Sequence, residues 1–84
     1  MGMGLPRVRI REKRLGRERA LGQAWHGENV VEIDPRQCES ERLDTLIHEL
    51  LHLMEPEWSE ERVVEVAGWL SGILWRQKYR RVRQ

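Results

Sequence analysis

A chain of 84 residues holds one domain, residues 1–84, because so short a polypeptide cannot divide its core again, and a multidomain enzyme is excluded. Hydrophobic residues make up 39% and charged residues 35%, which excludes a disordered chain, while the single cysteine, Cys38, excludes an internal disulfide framework. The net charge of +1 hides an uneven layout: residues 1–25 carry seven Arg and Lys against two Glu, residues 26–65 carry three against twelve Asp and Glu, and residues 66–84 carry five against none.

Two basic ends therefore flank an acidic middle that points to cations. No apolar run approaches the roughly 20 residues of a membrane span, and the start MGMGLPRVRI lacks the apolar stretch of a signal peptide. The expectation is a cytoplasmic protein in a reducing compartment, without membrane contact, in which a metal takes the place of the absent disulfides.

Arg7-Val8-Arg9-Ile10-Arg11 alternates charge with β-branched residues, the pattern of a half-buried strand with Val8 and Ile10 inward. A basic connection from Lys13 to Gly22 leads to a second strand at Gln23-Ala24-Trp25, and His26-Gly27-Glu28-Asn29 has the residues of a tight reversal into a third, Val30-Val31-Glu32-Ile33. The expected result is a small antiparallel sheet whose last two strands form a hairpin.

Asp34-Pro35 closes the third strand, and Ser40, followed by Glu41 and Asp44, has the character of an N-cap with acid in the first turn. A helix is expected from Ser40 to Met54. Leu43, Leu46, Ile47, Leu50, Leu53 and Met54 form one stripe, suited to covering the sheet, and Asp44, Thr45, His48, Glu49 and His52 gather on the opposite side. Glu55-Pro56-Glu57-Trp58 breaks this helix, Ser59 caps the next, and Val63, Val66, Ala67, Leu70, Ile73 and Leu74 carry that one to about Tyr79. The fold class is α+β, with about three strands packed on a helical hairpin.

His48-Glu49-Leu50-Leu51-His52 is an HExxH sequence inside the first helix. Two imidazoles four residues apart stand one turn above each other and can reach a single Zn²⁺, with the Glu beside the first directed toward a water at the metal. Zinc lowers the pKa of such a water to about 7 and polarises a carbonyl, and Glu49 serves as general base. The reaction class is hydrolysis of a peptide bond in a polypeptide substrate.

The run Val30 to Pro35, then Leu43 to Leu53 with its HExxH, resembles the core of small zincin metallopeptidases of the gluzincin type, the minigluzincins. The run Ser59 to Val63 and Leu74-Trp75-Arg76, ending in Tyr79-Arg80, is similar to short phage-type and bacterial metallopeptidases, so the likeness spans roughly residues 22–80. It implies a sheet before the HExxH helix, His48 and His52 as zinc ligands, Glu49 as base, and a glutamate of the next helix as third ligand. Glu60, Glu61 and Glu65 are the candidates. Glu60 lies at the flank of the apolar stripe and is favoured, with Glu61 second and Glu65 third.

Other residues read more plainly. His26 is a solvated turn residue, Cys38 has no second cysteine to complete a zinc site, Tyr79 reads as packing, and Trp58, Trp69 and Trp75 read as core or border residues. The basic ends, Arg7 to Arg19 and Arg76 to Arg83, read as solvated faces, and nucleic acid is a disfavoured partner. The alternative is a zinc-binding module without turnover whose basic termini contact nucleic acid or a recruiting partner protein.

Overall fold

The computed structural model describes residues 5, 7–16 and 21–82. The expectations that fall on residues 1–4, on 17–20 within the basic connection, and on Arg83 lie outside the described residues. The chain runs β1 (Arg9–Glu12), β2 (Gly22–Trp25), β3 (Val30–Ile33), α1 (Glu39–Met54) and α2 (Glu60–Arg76). This is the α+β arrangement of three strands and two helices that the periodicities predict.

The sheet is mixed rather than wholly antiparallel. Its order is β1-β3-β2, with β2 antiparallel to β3 through the hairpin and β1 parallel to β3. Glu12 and Gly22 both lie level with Ile33, so β1 ends and β2 begins at the same end of β3, on its two sides. Asp34 lies at that end. The Asp34 carboxylate accepts from Leu15 N at 2.9 Å, its backbone N–H donates to Leu21 O at 2.9 Å, and Arg36 grips both carboxylate oxygens at 2.9 and 2.7 Å. Parallel pairing of β1 with β3 requires a crossover, and Asp34 anchors it at Leu15, which is buried, and at Leu21.

All four residues of β3 are buried, although Val30 and Glu32 face away from Val31 and Ile33. Glu32 is covered by its neighbours: Arg11 Nη2 and Trp25 Nε1 donate to its two oxygens at 3.0 and 3.1 Å. Ile10 shares the side of Val31, yet it is exposed, because neither helix packs on β1 and nothing covers that end of the sheet.

The N-cap of α1 is Cys38, not Ser40; its backbone N–H donates to Glu41 Oε1 at 3.4 Å. Ser59 caps α2 by accepting from Arg62 N at 3.1 Å, as expected. That helix ends at Arg76 rather than near Tyr79. Lys78 takes φ 72°, Lys78 N donates to Trp75 O and Tyr79 N to Leu74 O, both at 3.0 Å, which is a Schellman stop.

The nominally polar side of α1 also meets the sheet. Thr45, on the nominally polar side, is buried against Gly22 of β2, whereas Leu50, Leu53 and Met54 line an open groove of about 240 Å³ with Leu5 and Val8. Leu43 and Leu46 line another, of about 310 Å³, with Trp75. Gly22 lets the short polar side chains of α1 approach the strand backbone. The helical hairpin has its own core of Leu51, Val63 and Ala67, flanked by Ile47, Trp58 and Val66.

Candidate metal centre

Three segments build the site. The last turns of α1 carry His48, Glu49 and His52, the first turn of α2 carries Glu60, and the start of β2 closes one side. The five-residue turn from Glu55 to Ser59 reverses the chain sharply enough to set the head of α2 beside the tail of α1. Glu55 N donates to Leu51 O at 2.7 Å and Trp58 N to Glu55 O at 3.1 Å, so hydrogen bonds hold both the start and the end of the reversal. Leu51 and Val63 pack under it.

The two imidazoles lie with ring centroids 4.9 Å apart, inclined at 66°. Both turn Nε2 toward the same carboxylate: His52 Nε2 is 2.8 Å from Glu60 Oε1, and His48 Nε2 is 3.1 Å from Glu60 Oε2. One potential ligand atom from each residue lies within 4.8 Å of those from the other two. A tetrahedral zinc with bonds of about 2.0–2.1 Å holds its ligand atoms roughly 3.4 Å apart, so the spacing fits with little adjustment. Two histidines, one glutamate and an open fourth position form one of the ligand sets that catalytic zinc uses.

Glu49 sits next to the cluster without joining it. It is more than half buried, and that burial raises its carboxyl above the ordinary carboxylate value; nearby His48 and His52 oppose the rise, and the negative charge of Glu60 adds to it. Its stem lies close to Gly22, and Glu49 lines a cleft of about 380 Å³ together with His48, Glu60, Asp44, Thr45, Leu21, Gly22 and Val64. The cleft is bordered by an edge strand, since the order β1-β3-β2 leaves one side of β2 unpaired within the sheet.

No protein-family model, curated protein or solved structure matches the chain. The cluster is therefore judged on its own chemistry.

Of the residues singled out from sequence, His48, His52 and Glu60 come together, and Glu49 stands beside them. Glu61 is exposed on α2 outside the cluster, and Glu65 pairs with Arg62 at 3.6 Å. His26 is exposed in the hairpin turn and acts on Glu49 only through its charge. Cys38 is an exposed thiol, and Tyr79 lies in the groove beside Trp75, outside the cleft. Trp58 packs on the helical core under Arg62, Trp69 is exposed, and Trp75 is stacked by Arg80 at 3.3 Å.

Sequence reasoning missed the residues that hold the cleft's wall. Gln37 Nε2 donates to Leu21 O at 3.2 Å and to Asp34 O at 2.8 Å, while its Oε1 accepts from Thr45 Oγ1 at 2.7 Å. One amide thereby ties the start of β2, the end of β3 and α1 together. The available signal was Gly22, because glycine inside a strand often marks a close approach by another element.

Proposed function

We propose that this protein is a zinc-dependent metallopeptidase of the small gluzincin kind, in which His48, His52 and Glu60 hold the metal and Glu49 is the general base. The observation that carries the reading is the convergence of both Nε2 atoms on the Glu60 carboxylate, with a separate, half-buried carboxylate next to them. A carboxylate not needed as a ligand is what hydrolysis requires and what a purely structural site has no use for.

Zinc, when bound, supplies a Lewis acid for the scissile carbonyl and makes water a nucleophile near neutral pH. Glu49 accepts a proton from the attacking water as the new C–O bond forms, then delivers it to the amide nitrogen as the C–N bond breaks. The unpaired side of β2 offers an extended polypeptide a row of backbone hydrogen bonds beside the cleft, and Leu21 and Val64 give the cleft apolar borders. A cytoplasmic setting accords with the single exposed thiol of Cys38.

The test is zinc content by elemental analysis of untagged protein, followed by a mass-spectrometric screen against a peptide library. About one zinc per chain and cleavage that falls by roughly 10²–10⁴-fold in Glu49→Gln, with zinc retained, are the expected results. Zinc without any cleavage would reassign the site to a binding module, and the absence of zinc would end the proposal.

A further inference from the structure

Gly22 meets α1 at a crossing too tight for any side chain. A Cβ at this position would stand 2.7 Å from Thr45 Cγ2, 3.0 Å from Glu49 Cγ and 3.2 Å from the Glu32 carbonyl oxygen. A carbon at the first of these distances overlaps its neighbour, so an added methyl group forces something to move.

Three parts could yield, and two of them are held. The strand is fixed on its own backbone, since Gly22 pairs in register with Ile33 and the Leu21 carbonyl accepts from both Asp34 N and Gln37 Nε2. Thr45 is buried and β-branched, and its hydroxyl is tied to Gln37 Oε1 at 2.7 Å, which fixes where its methyl group points. Glu49 is the freer of the two side chains: it is unbranched, and among the described residues its carboxylate makes no side-chain hydrogen bond. Its stem packs close to Gly22, in room that a Cβ there would take.

We propose that Gly22 is a positioning residue for Glu49. The missing side chain lets the Glu49 stem lie beneath the edge strand, and this directs its carboxylate into the cleft shared with His48 and Glu60. The inference rests on the reading of Glu49 as general base, but the steric relation between positions 22 and 49 is a separate matter of packing. The three atoms nearest to a Cβ at this position belong to Thr45, Glu49 and Glu32 and to none of the candidate ligands, so its substitution is directed at the base rather than the metal.

The experiment uses the full chain as Gly22→Ala, Gly22→Ala with Thr45→Ser, Glu49→Ala, and Gly22→Ala with Glu49→Ala. Zinc affinity is read by competition with a chromophoric chelator, stability by thermal midpoint, and kcat and KM on a peptide that the unsubstituted chain cleaves. Gly22→Ala is expected to lower kcat by about 10²-fold with KM and zinc affinity changed less than about threefold, the signature of a misplaced group rather than a lost ligand. Thr45→Ser keeps the hydroxyl and removes the closest methyl group, so the double variant regains thermal stability while the contact with the Glu49 stem, and with it the loss in kcat, remains.

The thermal midpoint reads the packing whether or not the chain hydrolyses anything. Gly22→Ala is expected to lower it by less in the Glu49→Ala background, where the Cγ contact is gone, than in the unsubstituted chain. An equal loss in both backgrounds, or an unchanged kcat in Gly22→Ala, overturns the proposal. A chain that binds zinc but cleaves nothing removes the general-base reading, and the coupling between positions 22 and 49 then decides the positional claim alone. Should Gly22→Ala not fold, recovery of folding with Thr45→Ser or Glu49→Ala supports the proposal, and failure of all three variants overturns it.

Discussion

His52 and Glu60 meet across the helical hairpin, with Nε2 and Oε1 2.8 Å apart although the residues sit on different helices. The same carboxylate reaches His48 with its other oxygen, so one side chain of α2 completes a cluster begun by two of α1. The relation depends on Ser59 ending the turn and starting α2, because a one-residue shift in that start would rotate Glu60 by 100° away from the imidazoles.

This makes the first turn of α2 a direct test of the ligand set. Glu60→Gln is expected to weaken zinc binding by at least about 10²-fold, since loss of even an indirect partner of a metal ligand costs 10 to 100-fold. Glu61→Gln, one residue on and outside the cluster, should leave affinity unchanged. Calorimetric titration with zinc at fixed pH separates the two, and equal losses in both variants would remove Glu60 from the site.

Gln37 should prove more costly to replace than its surface position suggests. Gln37→Leu leaves the buried Thr45 hydroxyl without its acceptor and frees the Leu21 carbonyl from one of its donors. An unsatisfied buried polar group costs about 1–3 kcal/mol, and a loss in that range is expected in urea denaturation. A loss below about 0.5 kcal/mol would mean that water replaces the amide at no cost.

Acid should attack the crossover before it attacks the helices. The Arg36 guanidinium and the backbone N–H groups of Leu15 and Arg36 hold the Asp34 carboxyl well below the usual carboxylate range. A carboxylate depressed in the folded state contributes stability that is complete above its unfolded pKa, about 3.9, and is lost as pH falls below that toward the folded value. The thermal midpoint of Asp34→Asn should lie below that of the parent at pH 7, and the gap should hold to about pH 4 and narrow between there and pH 2. A gap constant across that range would show that Asp34 acts through packing alone.

The sequence was informative where its signal was local. The HExxH spacing, the turn before Ser59 and the flank position of Glu60 are consequences of helical period, and period is visible in a string of residues. The direction of β1 was not visible, because it depends on Asp34 binding Leu15 and Leu21, two contacts separated from it by 19 and 13 positions. The close approach of Thr45 and Glu49 to β2 was not visible for a related reason: it depends on the gap left by Gly22, which hydrophobicity does not record. Lys78 likewise ends α2 in a left-handed conformation where glycine would have announced the stop.

Among the described residues, β1 reaches α1 through the side chain of Glu12, which meets Arg42 at 3.2 Å and also pairs with Arg81 at 2.9 Å, while its backbone is bonded along β3 and, at Arg9 N, to Asn29 O. The molecule is consequently unequal in its two halves: β2 and the helical hairpin line the cleft, whereas β1 lies on the other side of β3, held along one ladder. Loss of β1 would uncover Glu32 by removing Arg11, yet it would break none of the contacts among His48, His52 and Glu60.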